Sequence, residues 1–176
     1  SGDYNIALGA NSLFGYTSAA NNVAIGQSAG NAITTGPTNI LIGSYAGRLI
    51  TTGGKNIVLV NDGSNMGITT GSQNIILGTT GPFYLAGGTN NIFIGDEAGK
   101  NAAPAVSNNI AIGKWALLGS NSSTANTGGN NTAIGIFAGY GVTTGAGNTI
   151  LGTSAANNLT TGGNNVVLGY GAATSS

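Results

Sequence analysis

Few residues in this 176-residue chain are equipped for chemistry. There is no His and no Cys, and the acids Asp3, Asp62, Asp96 and Glu97 face only the bases Arg48, Lys55, Lys100 and Lys114. Without imidazole or thiol, the chain lacks the usual general base near neutrality, a thiolate nucleophile, and any His or Cys metal ligand. A paired-carboxylate glycosidase needs two acids held across a scissile bond. Asp96 and Glu97 are sequence neighbours and point apart if they lie in a strand, so a pair requires one of them to meet Asp62 across the fold. Calcium-binding β-roll turns need recurrent Asp, and eight of the ten repeat units carry no acid at all, which leaves at most an isolated ion at Asp62 or Asp96. The expectation is a non-enzyme with no catalytic residue, no metal site and no cofactor.

Recognition is the chemistry that remains. An exposed aromatic ring beside Asn, Asp or backbone groups suits a sugar, whose rings carry apolar faces and polar edges. Trp115 leads these candidates, beside Lys114 and just before a long insertion, followed by Tyr84 and Tyr45, with Tyr16, Tyr140 and Tyr170 as further members of the set.

The rest of the composition describes the scaffold. Glycine supplies 33 residues and charged residues only 5%, against about 25% charged in an ordinary domain. With 40% hydrophobic residues and a mean hydropathy of +0.18, the chain is too apolar for disorder. Its apolar runs, such as Ile57 to Val60, stop far short of the 18 or more residues of a membrane span. Four scattered bases make no phosphate-tracking surface. Neither nucleic acid nor membrane insertion is expected. The opening Ser1-Gly2-Asp3-Tyr4 reads as a processed or excised piece, and a surface of Asn, Thr, Ser and Gly suits an exposed fibre, extracellular or on a virion.

One phrase organises the whole sequence: Asn, three mostly apolar residues, Gly. It starts at Asn5, Asn22, Asn39, Asn56, Asn74, Asn91, Asn109, Asn131, Asn148 and Asn165, mostly 17 residues apart. Ten copies leave no room for a second domain, so residues 1–176 read as one repeat domain. With Asn as position zero, positions one and three are β-formers such as Ile6 and Leu8 or Ile92 and Ile94, and each unit contains a short strand. Position four is Gly in nine units and Val60 in the other, and suits a corner with positive φ or a close backbone approach. Position seven is small, as at Ala29 and Ala116, and would let a narrow coil close. Position zero suits a stacked Asn ladder. Thr-Thr-Gly and Gly-Asn turn chemistry then leads back to the next strand. Each unit reads as strand, corner, shorter second strand and return turn. The whole is an all-β parallel β-solenoid of about ten 17-residue coils, roughly 50 Å long at the strand spacing.

Position two is apolar in every unit. A strand apolar on both faces is buried on both. With no helical segment available as a second layer, the expectation is that Ala24, Leu41, Val58, Ile76, Phe93, Ala111, Ala133, Ile150 and Val167 face another copy of the chain. Two irregularities stand out. Residues 119–127 lengthen one unit and suggest a protruding loop, while Val60-Asn61-Asp62-Gly63 and Gly81-Pro82-Phe83-Tyr84 suggest a bulge or local widening.

The phrase, seen as Asn22-Val23-Ala24-Ile25-Gly26 with Ala29 and as Asn131-Thr132-Ala133-Ile134-Gly135 with Ala138, resembles the head repeats of trimeric autotransporter adhesins. It is equally similar to the Gly-Asn-Thr-rich repeats of bacteriophage tail fibres and tailspikes. The resemblance covers residues 5–173 and implies a left-handed, homotrimeric β-roll in an extracellular fibre or adhesin; for such a module the sugar-suited aromatics above make a host-surface glycan the expected direct ligand. The 17-residue period departs from the shorter adhesin repeat. Two other readings follow from the residues: a self-assembling filament subunit, whose open strand edges pair end to end, and an ice-binding face made by the Thr-Thr-Gly column.

Overall fold

A computed structural model describes residues 2–62, 67–119 and 126–173. It is an all-β solenoid in which ten short strands stack in chain order into one parallel sheet, about nine full turns of chain. The strands are β1 (Ile6–Leu8), β2 (Val23–Ile25), β3 (Ile40–Ser44), β4 (Ile57–Asp62) and β5 (Ile75–Gly78), then β6 (Ile92–Ile94), β7 (Ile110–Ile112), β8 (Thr132–Ile134), β9 (Thr149–Leu151) and β10 (Val166–Leu168). Register is in phase throughout: Ala24 pairs with Leu41, Ile76 with Phe93, and Ala133 with Ile150. Among the described residues there is no helix, and so none long and apolar enough to cross a membrane.

The Asn column is the spine. Each Asn backbone N–H donates to the Oδ1 of the Asn one coil before it, at 2.8–3.0 Å from Asn22 to Asn165. The side-chain Nδ2 donates in turn to the return turn of its own coil, as from Asn74 to the Gly88 carbonyl at 2.9 Å. Asn22 to Asn148 are fully buried, so the amides satisfy backbone groups that water cannot reach. The link survives the 22-residue unit, where Asn131 still reaches Asn109 at 2.9 Å. Residues 120–125 of that insertion lie outside the described residues, as does Gly63.

The expected corner is present. Gly26, Gly95, Gly113, Gly135 and Gly152 have φ of 126–137°, open to glycine and strained for other residues. A Cβ on Gly113 would also lie 2.6 Å from the Gly135 carbonyl oxygen of the next coil. Where Val60 replaces glycine, β4 runs on to Asp62, Ser44 pairs with Asp62, and the register of β3 slips between Ile42 and Ser44. This is the irregularity expected there, as a bulge. The second strand expected in each coil does not form: apart from an isolated bridge between Ala102 and Asn126, the described residues hold one strand per coil. The reason is local. Residues at positions six and eight adopt left-handed φ, as in Trp115 (62°) and Leu117 (47°) or Phe137 (59°) and Gly139 (61°), which cannot continue an extended chain.

The expected orientation of the strands is overturned. Ala24, Leu41, Val58, Ile76, Phe93, Ala111, Ala133, Ile150 and Val167 lie in the lumen of their own coil, at most 5% exposed in a single chain. They face no second copy. Position two shares its side with position zero, because side chains alternate along a strand, and the Asn spine faces inward. The covering layer is the chain's own return segment. Small position-seven residues (Ala29, Ala46, Ala98, Ala116, Ala138, Ala155) and larger ones beyond them (Ile33, Ile50, Ile68, Leu85, Val142, Leu159) close the core. Volume at position two is offset at position eight in several coils; where both are small, as at Ala24 with Gly30 and Ala133 with Gly139, Leu13 and Leu41 or Leu117 and Ile150 reach in from the neighbouring levels. Phe93 sits against Gly99 and Leu41 against Gly47, where a Cβ would come within 2.7 Å, whereas Ala111 is matched with Leu117.

Candidate functional site

Two surfaces are distinguished from the Asn, Thr and Gly background. The first is the outer face of the sheet. Positions one and three point away from the lumen, and they are Ile, Val or Leu at every level except Thr132 and Thr149. Ile150 is fully buried, while its neighbour Leu151 is 49% exposed. Ile40, Ile42, Leu59 and Ile134 are likewise open, and the bulge adds a shallow depression lined by Ile42, Gly43, Leu59, Val60 and Asn61. Ten strands at about 4.8 Å spacing make this a stripe about 43 Å long, and positions one and three set it at least about 7 Å wide. The sequence reading assigned the two rows the wrong way round. Phase with the buried Asn was the available signal.

The second surface lies past the glycine corner, on the coils that begin at Asn74, Asn91, Asn109 and Asn131. It gathers four of the eight charged side chains and the single Trp. Glu97 accepts a hydrogen bond from Lys100 Nζ at 2.7 Å on one oxygen and from the Trp115 indole Nε1 at 3.0 Å on the other. The Lys114 ammonium lies 4.5 Å above the Trp115 ring and 3.4 Å from Asp96. The Thr79 hydroxyl donates to the other oxygen of Asp96. That hydrogen bond holds the Asp96 carboxyl below its ordinary value; slight burial opposes the shift, and Lys114 reinforces it. Trp115 packs edge-on against Phe137 with centroids 4.7 Å apart, and Phe137 against Tyr140 at 5.6 Å. On the other flank Lys100 lies 4.8 Å from the centre of the Phe83 ring, which meets the exposed Tyr84 edge-on.

Of the sequence-predicted ligand residues, the structure therefore brings Trp115 and Tyr84 into one network. Tyr45 does not join it. It occupies the same corner position as Trp115, but in the coil of Asn39, beside Arg48 at 5.9 Å. Tyr140, also among the expected aromatics, joins the network through Phe137, whereas Phe83, Phe137 and Glu97 were missed as partners, although their one-coil offsets from Lys100 and Trp115 were readable in the repeat. No carboxylate pair forms between Asp62 and the two acids of the patch. Asp62 lies in β4, two coils away, while Asp96 and Glu97 are held by their own partners. No three of His, Cys, Asp and Glu gather among the described residues. The Thr-Thr-Gly column also turns inward in part, since the hydroxyls of Thr34, Thr51, Thr69 and Thr143 donate to carbonyls of the next coil.

No protein-family model, curated protein or solved structure matches the chain.

Proposed function

We propose that this chain is a non-enzymatic structural and adhesive module of an extracellular or virion-surface fibre, and that it works as a homotrimer. The observation that carries the reading is the uncovered apolar stripe along the whole sheet face. Its extent, on the order of 300–500 Å², reaches the largest patches that single soluble chains leave open. A flat face running the length of a rod suits side-by-side packing, and three rods with that face turned to a common axis close the assembly without leaving a free copy of it. Near-absence of charge along the rod removes any barrier to close packing. The inner row is excluded from this role because its own chain covers it.

Sedimentation of the purified chain tests the proposal. The expected mass is three times the 17.0 kDa of one chain. Ile42→Glu with Leu59→Glu should reduce it to one chain while the β circular-dichroism signal remains. Phe93→Asp should instead unfold the coil, since it puts a charge in the lumen. A wild-type protein that stays at one chain mass at high concentration would refute self-association, and polymers of indefinite length would replace the closed trimer by a filament.

A further inference from the structure

The geometry points to the corner patch around Trp115 as a binding site for a neutral saccharide. Three features separate it from ordinary surface. Half of the chain's charges lie in it, and every one is matched: Lys114 with Asp96, Lys100 with Glu97. A patch neutralised from within offers no net field to a phosphate, a sulfate or a cation, so its ligand is uncharged. Trp115, Phe137 and Tyr140 form a half-buried aromatic row over two coils, with rings edge-on or tilted to one another and the Lys114 ammonium over one face of the indole, and it is edged by two carboxylates with lone pairs to spare. Apolar rings edged by hydrogen-bonding groups complement a sugar, with its C–H faces and hydroxyl edges.

The backbone adds an independent argument. Position six is left-handed in every regular coil, and Ser28 and Ser154 occupy it at φ of 55° and 56°. The fold thus accepts a small polar residue there. Trp115 and Phe137 hold the same strained φ with bulky side chains, which nothing in the coil requires; Tyr45 does so alone in the coil of Asn39, whereas these two fall on successive coils and meet. The Glu97 hydrogen bond to the indole then fixes the ring plane, which prepares the platform before a ligand arrives. Because the glycine corner lies between this patch and the outer strand face, the site stays open whether the chain is single or assembled, and it does not rest on the trimer.

Trp115 is the only Trp in the chain, so its emission reports on this site alone. The intact protein is titrated with neutral tetrasaccharides of glucose, mannose, galactose and N-acetylglucosamine, and with a sulfated oligosaccharide as the charged counterpart. At least one neutral probe should shift the emission saturably, and the sulfated one should not. Trp115→Ser and Phe137→Ser, read by calorimetry and with circular dichroism unchanged, should each weaken that binding about tenfold or more, the loss expected of one stacking ring. The proposal is overturned if none of the neutral probes binds, if the sulfated probe alone binds, or if both serine variants bind as the parent does.

Discussion

The two apolar rows that leave each strand in opposite directions are built by different rules. The inner row at position two ranges from Ala111 to Phe93, and its size changes are offset within the lumen, by position eight at Phe93 and Ala111 and by side chains of neighbouring levels at Ala24 and Ala133. The outer row is nearly uniform, Ile, Val or Leu, and compensates for nothing within the chain. Size variation with matched partners is the mark of a closed lumen, where each methylene must fit. Uniform size without partners suits a surface that meets something outside the chain. The same three-residue strand thus carries a stability face and an interaction face, and substitutions should separate them.

The Asn spine should give the largest effect, because its amides have no substitute. Asn74→Leu removes the acceptor of the buried Asn91 backbone N–H and the donor to the Gly88 carbonyl. Two orphaned buried groups, with the strain of an apolar side chain in a polar column, should cost about 4–6 kcal/mol. Chemical denaturation would show this as a large fall in midpoint. A loss under 1 kcal/mol would mean that water enters the ladder. The inner row comes next. Phe93→Ala should cost about 3–5 kcal/mol by opening a cavity. Adding Gly99→Leu should restore most of it, because the pair then copies Ala111 and Leu117, and Leu117 already sits at φ of 47° at this position. If the second change destabilised further, the exchange of volume between positions 93 and 99 would be wrong.

The repeat phrase, the parallel stacking, the glycine corner and the inward small residue at position seven were all legible, because each follows from period and residue size. The sense of the strand was not. Both faces of each strand are apolar, and with no helical segment for a second layer, position two was turned toward another copy and the chain's own return segment was overlooked as its cover. Physical parity decides the matter: a buried Asn fixes position two inward, and the exchange of Phe93 with Gly99 for Ala111 with Leu117 points the same way. The charged patch was partly legible. Trp115 and Tyr84 stood out by type, but their joining through Glu97 and Lys100 depends on which positions stack at the corner, and the left-handed φ values that set this leave no mark in residue type at Trp115 or Phe137.

The outer row should respond weakly where a single chain is measured. Ile40→Thr, which copies Thr132 and Thr149 at the same position, should change the unfolding free energy of a dissociated chain by about 1 kcal/mol or less. In the assembled protein it should weaken association, read as a higher concentration for half-dissociation in sedimentation. An equal loss in the dissociated chain and in the assembly would place Ile40 in the core rather than on an interaction face.

The smallest effect concerns the corner patch, where charge replaces packing as the organising force. The Thr79 hydroxyl, one coil below, is the largest single cause that lowers the Asp96 carboxyl from its ordinary 3.8; burial opposes it, and Lys114 adds to it by hydrogen bond and by charge. A carboxylate depressed in the folded state contributes stability above its unfolded value and loses it as pH falls through the folded value. Thr79→Val should therefore move the Asp96 titration upward, towards 3.8, and make the acid-side loss of stability begin at a higher pH. Because Asp96 is more than a third exposed, solvent screens the interaction, and the effect on stability at neutral pH should be slight. Carboxyl NMR titration reads the shift directly, and denaturation at several acidic pH values reads its consequence. An unmoved Asp96 in Thr79→Val would detach the patch from the coil beneath it. The ordered charges would then belong to the coils of Asn91 and Asn109 alone, with Glu97 as the remaining anchor of the indole.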